Sequence, residues 1–161
     1  MSLHIVLHSP QIPPNTGNIA RLSIALDATL HLVKPLGFDI SDARVKRSGL
    51  DYWDILKLEV HENLESFLNL PLKECFHMAL SSKVTKPYYK ESYLDVKKAS
   101  KDVYLHFGAE DKGFEEAFYK SYLSSNLATI PMHKNCRCLN LSNAVAVVAY
   151  DYYTKMLEMD V

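Results

Sequence analysis

The 161 residues predict an α/β chain: a mostly parallel sheet with helices on both faces. Three observations carry this expectation. Short apolar runs alternate with segments of helical period five or six times along the chain. Polar or glycine-bearing loops directly follow several of those runs, so in a parallel sheet they emerge at one edge. No repeat, linker or low-complexity tract breaks the alternation, so residues 1–161 read as one domain, long enough to bury roughly 70% of the unfolded surface.

The elements follow in order. Leu3 to Leu7 is mostly apolar and fits a buried strand. Pro10, Pro13 and Pro14 hold the next loop extended, and Asn15 or Thr16 is placed to cap a helix with Ile19, Leu22 and Leu26 on its apolar face. Arg21 is expected on the first exposed turn of that helix. Thr29 to Val33 is a second strand, closed by Pro35 and Gly37. From Ser41 a short capped helix runs to Gly49 and carries Arg44, Lys46 and Arg47, with Tyr52 and Trp53 just beyond. Strands are expected at Lys57 to Val60, Cys75 to Leu80, Val103 to Phe107 and Leu127 to Ile130, and a short helix at Leu64 to Leu68. His77 reads as a core histidine.

The stretch from Ile130 to Tyr153 organises the rest. A strand end closed by Pro131 leads into a polar loop, and Asn140 and Ser142 then offer oxygens that cap the last helix. The first two turns of that helix are apolar on every face. Either it is wholly internal or a second subunit covers its far side. A capped core helix is the plain alternative. The loop argues for more, because a strand end and a helix start that converge present backbone groups to a small polar ligand. Gly108 and Gly113 bound a similar loop after Phe107 and supply conformations or close approaches that other residues resist.

Composition narrows the classes. The formal net charge of −1 denies bulk electrostatic binding of nucleic acid, so any such partner must be held by a local patch. The Arg44–Tyr52 segment is the densest basic cluster, with cations for phosphates and aromatic faces for unpaired bases. No apolar run approaches the ~20 residues needed to cross a bilayer, and the first residues read as a strand instead of a signal peptide. Three cysteines form no paired framework, which points to free thiols and a cytoplasmic setting. His133, Cys136 and Cys138 lie close together but lack a second ligand pair, so no metal is expected. No Gly-x-Ser-x-Gly elbow supports a hydrolase, and no Gly-x-Gly-x-x-Gly supports a dinucleotide site.

Four segments together resemble the SPOUT methyltransferases, in particular the branch that methylates RNA ribose 2′-hydroxyls. Asn15-x-Gly17-Asn18-x-x-Arg21 is similar to the first motif of that family, and Phe107-Gly108-x-Glu110-x-x-Gly113 to the second. Ile130-Pro131-Met132, Arg137-Cys138-Leu139-Asn140 and Leu141-Ser142-Asn143-Ala144 resemble the third, with Cys138 where the family usually has Ser. Ser81-Ser82-Lys83 resembles its cofactor-side loop. Ala109 and Lys112 replace a common Pro and Arg.

The resemblance implies a trefoil-knotted fold and S-adenosyl-L-methionine as cofactor. It implies methyl transfer to the ribose of the wobble nucleotide of tRNA, cytidine or uridine, at the anticodon stem-loop. Arg21, Asn15, Glu110 and Asn140 would be catalytic, and Leu80, Gly108, Ile130 and Cys138 would bind the cofactor. Arg44, Lys46, Arg47 and Tyr52 would meet the RNA. A homodimer is implied, each site needing the partner's Arg21. A guanidinium with a pKa above ~12 is a poor base, so Arg21 is expected to grip a substrate phosphate. A non-catalytic RNA-binding relative, or an enzyme for another tRNA or rRNA position, is the alternative that Cys138 keeps open.

Overall fold

The computed structural model describes residues 1–41 and 54–159. The expected helix from Ser41 to Gly49, with Arg44, Lys46, Arg47 and Tyr52, lies outside the described residues, except for Ser41 itself. Six strands form one sheet: β1 (Leu3–His8), β2 (Thr29–Val33), β3 (Leu58–His61), β4 (Phe76–Leu80), β5 (Val103–Phe107) and β6 (Leu127–Ala128). Their order is β3-β2-β1-β5-β4-β6, and every pairing is parallel, as expected. Among the described residues the α-helices are α1 (Pro13–Ala25), α2 (Leu64–Leu68), α3 (Leu94–Lys98), α4 (Glu116–Tyr119) and α5 (Leu141–Glu158). Among the described residues no helix is long and apolar enough to cross a membrane.

Side chains on a strand alternate between faces, and here the two faces differ in chemistry. Leu3, Ile5, Leu7, Leu30, Leu32, Met78, Leu105 and Phe107 form an aliphatic face that packs with residues of α1 and α5. The opposite face carries His4, His8, His31, His77, Tyr104 and His106 among Val6, Val33 and Ala79. Phe67, Phe114, Phe118 and Leu123 cover it.

These imidazoles are linked ring to ring. His8 Nε2 lies 3.0 Å from His106 Nδ1, and His106 Nε2 lies 3.0 Å from His77 Nδ1. His77 Nε2 lies 2.8 Å from the Leu72 carbonyl. A carbonyl only accepts, so His77 carries its proton on Nε2 and accepts at Nδ1. That fixes His106, and then His8, as the same tautomer. A proton added to His77 or His106 would place two hydrogens between one pair of nitrogens. A second row joins His4 Nδ1 to His31 Nε2 at 2.9 Å and His31 Nδ1 to His61 Nε2 at 3.0 Å.

Strand ends shift by a residue in β1, β3 and β4, and two boundaries differ from expectation by more. The first helix begins at Pro13 instead of after Asn15, and Ile12 is its N-cap with no side-chain cap. The first helical turn leaves its N–H groups unpaired in any case, so proline fits there. Arg21 therefore lies in the third turn, exposed. The last strand stops at Ala128 because Thr129 leaves β4 and bonds Lys86 and Tyr88 instead. In α5 one stripe is buried, Leu141, Val145, Val148, Ala149, Tyr152 and Met156. Val147, Tyr150, Tyr153 and Leu157 form an exposed apolar stripe, 40%, 46%, 37% and 50% accessible. The helix is thus not wholly internal.

Burial pushes the His8 and His31 imidazoles down to about 3 from 6.5, and neighbouring imidazoles push the same way. Above pH 6.5 these rings are neutral whether the chain is folded or not. Below it the unfolded chain takes up protons that the folded chain refuses, so stability falls as pH falls toward 3. Urea unfolding at pH 6.5 and pH 5.5 should show a loss of ~2 kcal/mol from the two rings together, ~1 kcal/mol each, because the unfolded rings are already half protonated at pH 6.5. Replacing His8 with Phe should remove about half of that slope.

Candidate active site

A cavity of about 500 Å³ opens at the carboxyl edge of the sheet. Such an edge is where open parallel sheets place ligands. Three loops wall it: the one after β4 with Leu80, Ser81, Ser82 and Lys83, the one after β5 from Gly108 to Phe114, and the one after β6 with Ile130, Met132 and Cys138. Ile12, Asn15, Asn140, Leu141 and Ala144 close it from α1 and α5. The volume suits a nucleoside-sized molecule, by the ~300–1,000 Å³ typical of small-molecule pockets.

The loop after β5 is a tight hairpin. Ala109 and Gly113 exchange both backbone hydrogen bonds, at 3.0 and 2.9 Å. Gly113 has φ +72°, and a side chain on Gly108 would collide with the backbone of Gly113 and Phe114. The turn could not close with other residues. At its tip stand Glu110, Asp111 and Lys112, all lining the cavity.

Glu110 then orders the polar wall. Its carboxylate accepts hydrogen bonds from Gln11 N at 2.7 Å, Ile12 N at 3.2 Å and Asn15 Nδ2 at 3.0 Å. Asn15 donates to a group that only accepts, so its Oδ1 is left for Asn140, whose Nδ2 donates to it at 2.9 Å. Asn140 Oδ1 is consequently free to cap α5, accepting from Ser142 N at 2.9 Å and Asn143 N at 3.4 Å. Three expected catalytic residues therefore form one relay.

The fourth does not join it. Arg21 lies six residues past Asn15 on α1, which at about 100° per residue is about 240° around the helix. It does not line the cavity of its own chain. The four residues expected to bind cofactor, Leu80, Gly108, Ile130 and Cys138, all line it. Cys136 Sγ donates to the Cys138 carbonyl at 3.5 Å, and both thiols are free and exposed. Tyr119 was missed by sequence reasoning: its hydroxyl meets Ser81 Oγ at 3.2 Å, and Lys83 Nζ lies 5.0 Å from its ring centre. Nothing in Glu116–Tyr119 beyond a short amphipathic segment could have marked it.

A parallel α/β sheet with a three-loop cavity at its carboxyl edge defines an α/β fold built to bind a small molecule, and comparison with known proteins resolves it further. The SpoU rRNA Methylase family matches residues 2–150, and the chain belongs to that family. A protein of Saccharophagus degradans named tRNA (cytidine(34)-2'-O)-methyltransferase is 37% identical over 153 residues, 95% of each chain. A Lactobacillus gasseri protein with the provisional name RNA (cytidine(34)-2'-O)-methyltransferase is 43% identical over 148 residues, 92% of this chain and 78% of that one. A structure solved to study 2-OH methylation of C/U34 on tRNA superposes with a TM-score of 0.87 at 36% identity, covering 98% and 97% of the two chains. An AdoMet-bound rRNA methyltransferase from Sinorhizobium meliloti shares the fold, with a TM-score of 0.84 at 22% identity over 97% of this chain and 57% of that one.

The relay makes a separable prediction. Asn140→Ala removes the cap and strands Asn15 Oδ1, so unfolding should show a loss of ~1–3 kcal/mol. Asn140→Asp still accepts at the helix start but cannot donate to Asn15. It should recover the cap alone and stay measurably less stable than the parent at neutral pH.

Proposed function

We propose that the chain transfers a methyl group from S-adenosyl-L-methionine to the ribose 2′-hydroxyl of nucleotide 34 of tRNA, cytidine or uridine. The observation that carries this reading is near-complete overlap, at 36% identity, with a chain solved for 2-OH methylation of C/U34 on tRNA. The cavity supports it, since all three family loops meet there in the expected order. In this reading residues 1–161 are one domain in the cytoplasm. The trefoil knot fits a hydrogen-bonded feature of the chain: Lys86–Glu91 bonds Thr129 on one side and Lys155 on the other.

The residues fit the cofactor. The cavity is of the right size, and Leu80, Phe107, Ile130, Leu139 and Leu141 give it apolar walls. Gly108 and Gly113 line the cavity without side chains and so offer it backbone groups. When bound, S-adenosyl-L-methionine supplies a methyl group activated by a sulfonium. Leu80, Gly108, Ile130 and Cys138 hold it through backbone groups and exclude water, which sharpens every electrostatic contact in the site. Asn15, Glu110 and Asn140 fix the first turn of α1 against the first turn of α5, so the ribose meets a rigid wall. Arg21 grips a substrate phosphate through its planar fork and stabilises charge on the attacking oxygen, with that phosphate as proton acceptor. Arg44, Lys46, Arg47 and Tyr52 hold the anticodon stem-loop.

Because Arg21 is turned away from its own cavity, it serves the site of a second chain. The exposed stripe Val147, Tyr150, Tyr153 and Leu157 supplies the apolar contact for such a homodimer. Sedimentation at micromolar concentration should give the mass of two chains; one chain's mass contradicts the dimer. Arg21→Ala should keep cofactor affinity in a calorimetric titration and lower single-turnover methyl transfer by ~10²-fold or more. Arg21→Lys should recover little, because it lacks the fork. A mixed dimer of an Arg21→Ala chain with a cofactor-defective Gly108→Val chain should be active at one of its two sites. Inactivity of both places Arg21 in its own chain's site.

A further inference from the structure

We propose a second site, remote from the cavity: a zinc-class divalent metal site formed by His31, Glu59 and His61 on the histidine face of the sheet. His31 lies in the middle of β2, while Glu59 and His61 alternate onto the same face of the edge strand β3. The register sets Glu59 directly beside His31. One ligand atom from each residue falls within 4.8 Å of the others, and among the described residues no other such group occurs. None of the three lines the methyl-transfer cavity.

The spacing identifies the geometry. His31 Nδ1 lies 3.0 Å from His61 Nε2 and 3.4 Å from the Glu59 carboxylate, which lies 3.9 Å from His61 Nε2. Donors of a tetrahedral zinc ion, bonded at ~2.0–2.1 Å, stand about 3.3–3.4 Å apart, and the three distances bracket that value. Six-coordinate ions with right angles need about 3.0 Å between neighbours. Two imidazole nitrogens and one carboxylate oxygen suit zinc, with water in the fourth position. Access differs along the site: His31 is 2% exposed, His61 10% and Glu59 54%, so the ion enters from the Glu59 side.

The surroundings are arranged as ligand support. His31 Nε2 faces His4 Nδ1 at 2.9 Å, so a metal-bound His31 keeps its proton on Nε2 and donates it there. The His4 ring in turn stacks on Tyr104, 4.1 Å between centres. Binding needs the lone pairs of both His31 Nδ1 and His61 Nε2. The proton that now links them moves to the remaining nitrogen of a ring, and none is lost overall. An occupied site ties β3 to β2 by side chains as well as by a ladder of only four residue pairs. Sequence reading missed it because His31 and His61 are thirty residues apart.

The test uses the full chain stripped with chelator. Zinc titrated by calorimetry should bind one ion per chain, raise the midpoint of thermal unfolding, and leave cofactor affinity unchanged. Cobalt(II) should give the intense visible bands of four-coordinate geometry. His61→Ala should abolish saturable binding, and Glu59→Gln, at an exposed position that tolerates change, should weaken it at least tenfold. Cys136→Ser, beside His133 in the loop after β6, should bind as the parent does. Absence of saturable zinc binding, a weak six-coordinate cobalt spectrum, or binding lost in Cys136→Ser and kept in His61→Ala would each overturn the proposal.

Discussion

One carboxylate decides how three distant parts of the chain meet. Glu110 takes two backbone donors from the loop after β1 and the amide of Asn15, and that amide in turn dictates the orientation of Asn140. Residues separated by 95 and 125 positions are thereby ordered as one wall. The amides of Asn15 and Asn140 cannot rotate away, because each has a single satisfied arrangement. The cavity owes its shape to the hairpin at Gly108 and Gly113, and its chemistry to this relay.

The sheet beneath it has two unlike faces, and the division has a physical cost and use. The aliphatic face packs α1 and α5 and positions the catalytic edge. The other face buries a string of imidazoles that must stay neutral, with directions fixed by the Leu72 carbonyl. Such a network is favourable only when complete, since a buried imidazole without a partner costs ~1–3 kcal/mol. That string joins β1, β5 and β4, and the separate row of His4, His31 and His61 joins β1, β2 and β3.

Much of this could be read beforehand. The succession of strands along the chain, the parallel sheet and the three cavity loops followed from apolar runs and from prolines and glycines that punctuate them. Leu80 ends β4, Gly108 follows β5 and Ile130 lies two residues beyond β6, and all three line the cavity together with Cys138. Asn15 was recognised as polar and functional but assigned a capping role, and α1 instead starts at Pro13. Helical phase separates Arg21 from Asn15, which spacing in the motif alone does not disclose. The histidine face went unseen because each histidine was read singly. Leu-His-Ile-Val-Leu-His, Leu-His-Leu and Tyr-Leu-His do alternate with period two, and only strand pairing shows that the alternating residues touch.

The central claim is that this wall orients a tRNA ribose for methyl transfer. The most direct measurement incubates the purified protein with S-adenosyl-L-methionine and unmodified tRNA, then maps ribose-methylated nucleotides by mass spectrometry. A single added methyl on the ribose of nucleotide 34 is the result the account predicts. A methyl on a base, a methyl at another position, or unmodified tRNA despite bound cofactor would contradict it.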